Sequence, residues 1–321
     1  MRIFLFFLLG VASVFGEEAF LRVHAGRNHI DSLEVAVKTY RIHGEEPKWI
    51  QLVGVSHVGT PGYYEGLQDL LNEANVVLFE GVDGDHPAFR QATVERSPER
   101  SNLQVNLARA LGLVFQLHHI DYTPEHFLNS DLTSVQLLAL FEGEEMPESG
   151  PAAQAQMEQL LAGMEEATLS GQAAAAVLDF LEMRPGWSRA MRWGMVNILG
   201  SVTGNVAEYP GLPEHLRTLM TVLIENRNEK VVADIHEQLE LLPEGGTIAV
   251  FYGAAHMHDF EIRLQKEWDA ELTDTEWRTA FSGNLQTSGL NVLQKKLVSW
   301  FVNQQVMTLK VISTPASSPE E

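Results

Sequence analysis

Two histidines stand at the same distance after a glycine, in Gly54-Val-Ser-His57 and Gly253-Ala-Ala-His256. Each motif closes an apolar run, Ile50, Leu52, Val53 and Val55 for the first and Thr247-Ile-Ala-Val-Phe-Tyr252 for the second. Such runs are what a buried strand needs. A glycine lets backbone come close to a ligand, and a histidine there projects its imidazole from a rigid platform. With 25 glycines and 12 histidines in 321 residues, chance gives roughly 0.9 copies of Gly-x-x-His. The spacing alone therefore carries no weight, and context decides. Gly26-Arg-Asn-His29 follows no buried run, leads into Asp31-Ser32, and is read as a decoy.

A third chemical group ends a third apolar run, Asn75-Val-Val-Leu-Phe-Glu80. Two histidines and a glutamate at three strand ends give enough ligands for zinc, manganese or iron while leaving positions open for water. Such an ion lowers the pKa of water and generates a hydroxide nucleophile near neutral pH. The competing reading at each position is a satisfied core histidine. The chain has no cysteine, which excludes a thiol mechanism, and no Gly-x-Ser-x-Gly elbow on a strand–helix turn supports a serine one. His118, His119 and Asp121 are metal-capable, but an alternating strand sends adjacent histidines to opposite faces, so the pair is read as structural.

Arg227 is the fourth residue of interest. Leu219, Leu223, Val231, Ile235 and Leu239 lie four or eight apart, and Arg227 falls on that same apolar face. It either snorkels or pairs with a carboxylate for structural reasons, or its guanidinium reaches the site and holds an anion. Further candidates are His258, just past the second motif, and Arg90, in the charged loop over residues 82–100.

The elements that must position these groups read as α/β. Residues 33–42 alternate in strand fashion, His43 to Lys48 form a turn cluster, and the first motif strand completes a hairpin. Tyr64, Leu67, Leu70, Leu71 and Ala74 have helical spacing, and the strand ending at Glu80 follows. Strand, helix, strand implies a parallel crossover that makes His57 and Glu80 neighbours. Residues 103–111 read as a helix and 113–122 as a strand. From residue 124 to about 212 strand runs disappear, predicting an inserted helical cap with helices at 131–141, 154–181 and 191–199. One long helix over 213–242 carries Arg227 and leads through Pro243-Glu-Gly-Gly246 into the second motif strand. Helix 260–268, strand 276–281 and an apolar terminal helix over 292–307 complete a mixed sheet of two strand–helix–strand halves.

Met1-Arg2 followed by an apolar stretch to Gly16 has the form of a secretory leader, too short for a comfortable membrane span, with cleavage expected after Gly16. The mature chain is then one domain over 17–312 with the helical insertion, and a disordered tail over 313–321. The net charge of −21 argues against nucleic acid or an anionic membrane surface as a partner. No stable membrane anchor is expected once the leader is removed.

Leu-Val-Gly54-Val-Ser-His57-Val-Gly59, Asn75-Val-Val-Leu-Phe-Glu80, Glu225-Asn-Arg227-Asn and Tyr252-Gly253-Ala-Ala-His256 together resemble the TraB/PrgY/GumN family, relatives of the Tiki metalloproteases and, more distantly, of erythromycin-esterase and ChaN-like proteins. The resemblance covers most of the mature chain and is sharp at these four places. It implies an exported metal-dependent hydrolase acting on a peptide or small molecule, with manganese or cobalt as the ion and zinc possible. It also implies that His57, Glu80 and His256 are metal-site residues, Gly54, Gly59 and Gly253 their support, and Arg227 the family arginine. Two departures stand out: Met257-His258-Asp259 replaces a Leu-Pro-Gly-like turn, and the membrane tether of Tiki relatives has no counterpart after Gly16. A non-catalytic protein that sequesters a peptide, haem or iron on the same fold is the alternative, and a structural protein a third.

Overall fold

The computed structural model describes residues 20–44, 46–82, 103–142, 178–202, 205, 208–213, 217 and 220–313. The leader, Arg90, residues 143–177 of the proposed cap and the tail beyond residue 313 lie outside the described residues. The chain is α/β with a mixed sheet.

β1 (Leu21–Ala25), β2 (Asp31–Ile42) and β3 (Lys48–Val55) run antiparallel in succession. The expected hairpin is β2–β3. β4 (Val58–Gly59) is short, α1 (Pro61–Glu73) starts with Pro61 in its first turn, and β5 (Val76–Phe79) follows. Next come α2 (Leu103–Ala110), β6 (Val114–Phe115), β7 (Phe127–Asn129), α3 (Ser134–Glu142) and α4 (Pro185–Leu199). A π-helical turn, Thr221–Asn226, runs into α5 (Arg227–Leu241). β8 (Thr247–Gly253), α6 (Met257–Trp268), β9 (Glu271–Gly283) and α7 (Val292–Ser313) end the described chain.

The strand order interleaves the two halves of the mixed sheet. β3 pairs in parallel with β8, β8 with β5, and β5 with β7, so the second motif strand lies between the first motif strand and the Glu80 strand. β9 runs antiparallel along almost the whole of β2, and β1 and β3 share the other edge of β2 end to end. Two other expectations change. Only Val114 and Phe115 of the 113–122 run form a strand, which pairs with β4 before the chain tightens into a 3-10 turn at Gln116–His118. The 124–212 stretch also contains β7, three residues too short to register as a periodic run. Helical residues 178–183 end at Arg184, and α4 begins not at residue 191 but at Pro185, where proline is tolerated because the first-turn N–H has no helical partner.

Alternate side chains of the parallel strands enter two cores. Val53, Phe79, Ala249 and Phe251 pack with Tyr64, Leu67 and Leu71 of α1 and Met195 and Val196 of α4. Leu52, Leu78, Ile248 and Val250 pack with Val231 and Ile235 of α5 and Phe260 and Leu264 of α6. Both faces of β3 and β8 are thus buried, which is why their sequences read as continuous apolar runs. Fully burying each such side chain stabilises by about 1.5–3 kcal/mol, enough to hold the strand ends in register. No helix among the described residues is long and apolar enough to cross a membrane.

Candidate functional site

Because β3, β8, β5 and β7 are parallel, their carboxyl ends meet at one edge of the sheet, where open α/β sheets bind ligands. Val55 lies opposite Gly253, and Phe79 opposite both Phe251 and Asn129. The residues just beyond these ends are His57, Glu80, Asp131 and His256. The helical arginine joins them.

Glu80 is the hub. Its Oε1 accepts a hydrogen bond from Arg227 Nη2 at 2.8 Å, and its Oε2 accepts the Gly253 N–H at 2.7 Å. His256 Nε2 lies 3.7 Å from Oε1. A Cβ on Gly253 would stand 3.2 Å from Glu80 Oε2 and 3.3 Å from His57 Nε2, so the glycine keeps open the space the two groups share. His57 and Glu80 are neighbours, as the crossover predicts, though with the β8 backbone between their strands. The other two motif glycines serve packing. A Cβ on Gly54 would press on Ala36 O at 3.1 Å, and one on Gly59 would meet the Tyr63 ring at 2.8 Å.

Both imidazoles are anchored through Nδ1. His57 Nδ1 is 2.8 Å from Gln116 Oε1, and Gln116 Nε2 donates to Tyr122 Oη at 2.9 Å. His256 Nδ1 is 2.7 Å from Asn228 Oδ1, and Asn228 Nδ2 donates to the His256 carbonyl and to Asp259 Oδ2. With the amide N–H groups committed elsewhere, the oxygens face the rings, the proton sits on Nδ1, and the Nε2 lone pair of each ring points into the site. Tyr64 Oη on the Ser56 carbonyl, 2.7 Å, and Ser56 Oγ on the Val58 carbonyl, 2.8 Å, fix the loop bearing His57.

Arg227 is held on all sides. Nε donates to Asp131 Oδ1 at 2.8 Å and Nη2 to Asp131 Oδ2 at 2.6 Å, a bidentate pair, while Nη2 also reaches Glu80. Nη1 makes the two longest contacts, 3.3 Å to the Leu223 carbonyl and 3.5 Å to His256 Nε2. Asp131 further accepts the Gly81 and Leu132 N–H groups, and its side chain has no exposed surface.

Charge follows from this geometry. Burial alone would raise the Glu80 pKa, but Arg227, helped by His256, His57 and the Gly253 N–H, holds it far below the usual carboxylate range. Burial pushes Asp131 up, yet both its oxygens accept N–H donors, so the ionised form is the one this network holds. Burial would lower the Arg227 pKa, and its two carboxylates raise it instead. His256 is pushed down to about 3 by burial, with Glu80 opposing the shift and Arg227 and His57 adding to it.

A pH dependence follows for the metal-free protein. Between the free imidazole value of about 6.5 and the folded value of about 3, the unfolded chain carries the His256 proton and the folded chain does not. Stability contributed by neutral His256 is therefore complete above that window. It falls on acidification by up to about 1.4 kcal/mol per pH unit. Urea midpoints across the window, with His256→Asn flattening part of the slope, check this; equal slopes for wild type and variant would contradict it.

The donor types are ones a divalent ion takes, two imidazole Nε2 atoms and one carboxylate, though both carboxylate oxygens already accept hydrogen bonds. Among the described residues, no group of three or more His, Asp or Glu side chains stands where it could hold a metal ion. The nearest cation to Glu80 is the guanidinium of Arg227.

Other candidates fall elsewhere. His29 lies exposed in a 3-10 turn with Asn28 and His29 at positive φ. His118 packs edge-on to Phe115, and His119 stacks on Tyr64. His258 lies on the first turn of α6 with a buried, unpartnered Nδ1, and no hydrogen bond or ion pair among the described residues joins it to the site. A cleft of about 520 Å³ lined by Asp69, Glu73, Thr247 and Arg278 opens at the amino end of β8, away from these groups. No protein-family model matches the sequence, no curated protein matches it, and no solved structure matches the chain.

Proposed function

We propose that this chain is an exported metal-dependent hydrolase, acting on peptides, whose divalent ion is held by His57, His256 and Glu80. One observation carries the reading: two imidazoles, each pinned through Nδ1 by a side-chain amide, stand beside one half-buried carboxylate, with His256 Nε2 3.7 Å from Glu80 Oε1. A histidine that merely satisfies itself in a core has no need of such a partner on a neighbouring strand end. The peptide substrate, the preference for manganese or cobalt over zinc, and export through the leader rest on the resemblance and on residues 1–16. The helical stretch after β7 is, in this reading, a cap, and Asp131 stands in the bend that leads into it.

When bound, the ion would supply Lewis acidity, polarising a scissile carbonyl and acidifying water. The protein's own groups divide the remaining work. A general base works best with a pKa near the operating pH, and Glu80 is held far below it. Glu80 therefore serves as ligand. Neutral His256 keeps its lone pair available at any pH above its low pKa. Asp131 fixes the guanidinium of Arg227, whose Nη1, with its two long contacts, is the donor most easily turned toward a developing oxyanion.

Chelator-stripped protein, with and without added manganese, cobalt or zinc, tested on a peptide library, is expected to cleave only when metal is restored. Metal binding without cleavage of any peptide assigns the site to the sequestering alternative, for peptide, haem or iron. Neither binding nor cleavage rejects the site.

A further inference from the structure

α7 is apolar on two opposite sides. One side packs on α4: Val302 and Leu309 are buried, and a Cβ on Gly194 of α4 would stand 3.0 Å from a Val302 methyl. The other side carries Leu293, Leu297, Trp300, Met307 and Val311, which are 77%, 56%, 61%, 61% and 74% exposed. Their steps along the chain are 4, 3, 7 and 4, and the exposed Gln304 divides the seven into 4 and 3. That alternation is the a/d repeat of a two-stranded coiled coil, kept over about two and a half heptads. Leu297, Gln304 and Val311 take the a positions, and Leu293, Trp300 and Met307 take d. Val302 and Leu309 fall at f, so the seam points away from this chain's own core.

The flanks of the seam select its occupant. Neither α7 nor α4 has an Asp or Glu, in a chain with 43 of them among 321 residues. At that average, roughly five would be expected over the two helices. Two copies of a chain of net charge −21 therefore repel each other least across this patch. An anionic bilayer is the poorer occupant, because Lys295 donates to the Gln286 carbonyl and Arg189 and Arg192 to those of Ser288 and Ser282. Lys296 and Lys310 both fall at g. Antiparallel pairing sets g against g and would bring lysine to lysine, whereas parallel pairing sets g against e. Lys296 then lies along Phe301 of the second copy, whose ring is 39% exposed, beside a groove of about 510 Å³ lined by Lys296, Trp300 and Leu285. From their exposures the five apolar side chains offer roughly 600 Å² per copy, so a closed seam buries roughly 1,200 Å², the lower bound for a stable dimer. Packing on α4 already holds α7 helical, so pairing has little left to order.

We infer that the chain forms a parallel homodimer through α7, with the two-fold axis along the helices and Leu297 and Trp300 at the heart of the seam. Gln304 faces Gln304 of the second copy, a polar pair at a central a position that fixes the register. Each α7 turns its f side to its own α4, so the two domains lie on opposite sides of the axis.

The test is sedimentation equilibrium of the chain from Glu17 onward, free of the leader, up to about 100 μM. Wild type is expected to reach twice the chain mass, with a Kd in the micromolar range or tighter. Leu297→Glu/Trp300→Glu places four carboxylates in one seam and is expected to weaken pairing roughly a hundredfold or more, and Met307→Glu roughly tenfold or more. All three side chains are exposed, so both variants should keep the circular dichroism of wild type. Orientation is read from Leu293→Cys, in a chain with no cysteine of its own. Parallel helices bring the two sulfurs within disulfide reach, so mild oxidation should give a covalent dimer. Antiparallel helices would hold them roughly 27 Å apart. A monomer throughout overturns the inference, as does a dimer that either glutamate variant leaves intact, or one in which Leu293→Cys fails to cross-link.

Discussion

Replacing Arg227 with leucine is expected to destabilise the fold by about 3–5 kcal/mol at neutral pH. The sequence alone leaves open a tolerated replacement, because a packed apolar side chain often substitutes for a buried ion pair. The structure removes that option: Arg227 neutralises two carboxylates, and a leucine neutralises neither. Asp131 would keep only its two backbone donors, and Glu80 only the Gly253 N–H. Without the guanidinium, burial and mutual repulsion would raise both carboxyl pKa values above their unfolded values. A raised carboxyl stabilises the fold below the unfolded pKa and loses that contribution as pH rises, so the deficit should shrink toward about pH 4. Arg227→Leu/Asp131→Leu should recover part of the loss, and Arg227→Lys should recover little, since an ammonium cannot form the bidentate fork. Urea unfolding of the three variants is the check. A single-variant loss below about 1 kcal/mol would mean that the carboxylates escape to water.

The second large effect is at Glu80. Both its oxygens are acceptors, one for Arg227 and one for Gly253. Glutamine has a single acceptor oxygen, so its amide N–H groups must oppose one of these donors, at a cost of about 1–3 kcal/mol. Glu80→Gln also removes the negative ligand. It is expected to weaken divalent-ion affinity and to lower turnover by roughly 10²-fold or more. If turnover falls while affinity is unchanged, Glu80 is the base and not a ligand. If a folded variant keeps both, it has neither role.

The strand ends were readable from sequence because burial of β3 and β8 on both faces demands uninterrupted apolar residues, and polar groups then mark where the strands stop. Glu80 announced itself in the same way. The sheet order was not readable: β8, nearly 200 residues downstream, inserts beside β3, and nothing local records such a pairing. Asp131 reads in the sequence only as the first residue of a helix over 131–141. Its real partner is Arg227, 96 residues on, and β7, which delivers it, has three residues. Gln116 was hidden by the apolar run around it, which suggested a longer strand than the one that forms. Asn228 sat in plain view beside Arg227, but a neighbouring helical residue points about 100° away, and its contact with His256 depends on how α5 meets the second motif. The two readings of Arg227 stay open in the sequence for a physical reason: the face it occupies is apolar, and only tertiary structure supplies its anions.

The most direct test of the site is equilibrium dialysis of chelator-stripped protein against manganese, cobalt and zinc, for wild type and His57→Ala/His256→Ala. Removing both imidazoles takes away two of three donors and leaves Arg227 paired with Glu80 and Asp131, losing only its long contact to His256, so the double variant should remain folded by circular dichroism. Wild type should bind about one ion per chain, and the folded double variant none. Equal stoichiometry in the two would contradict the site.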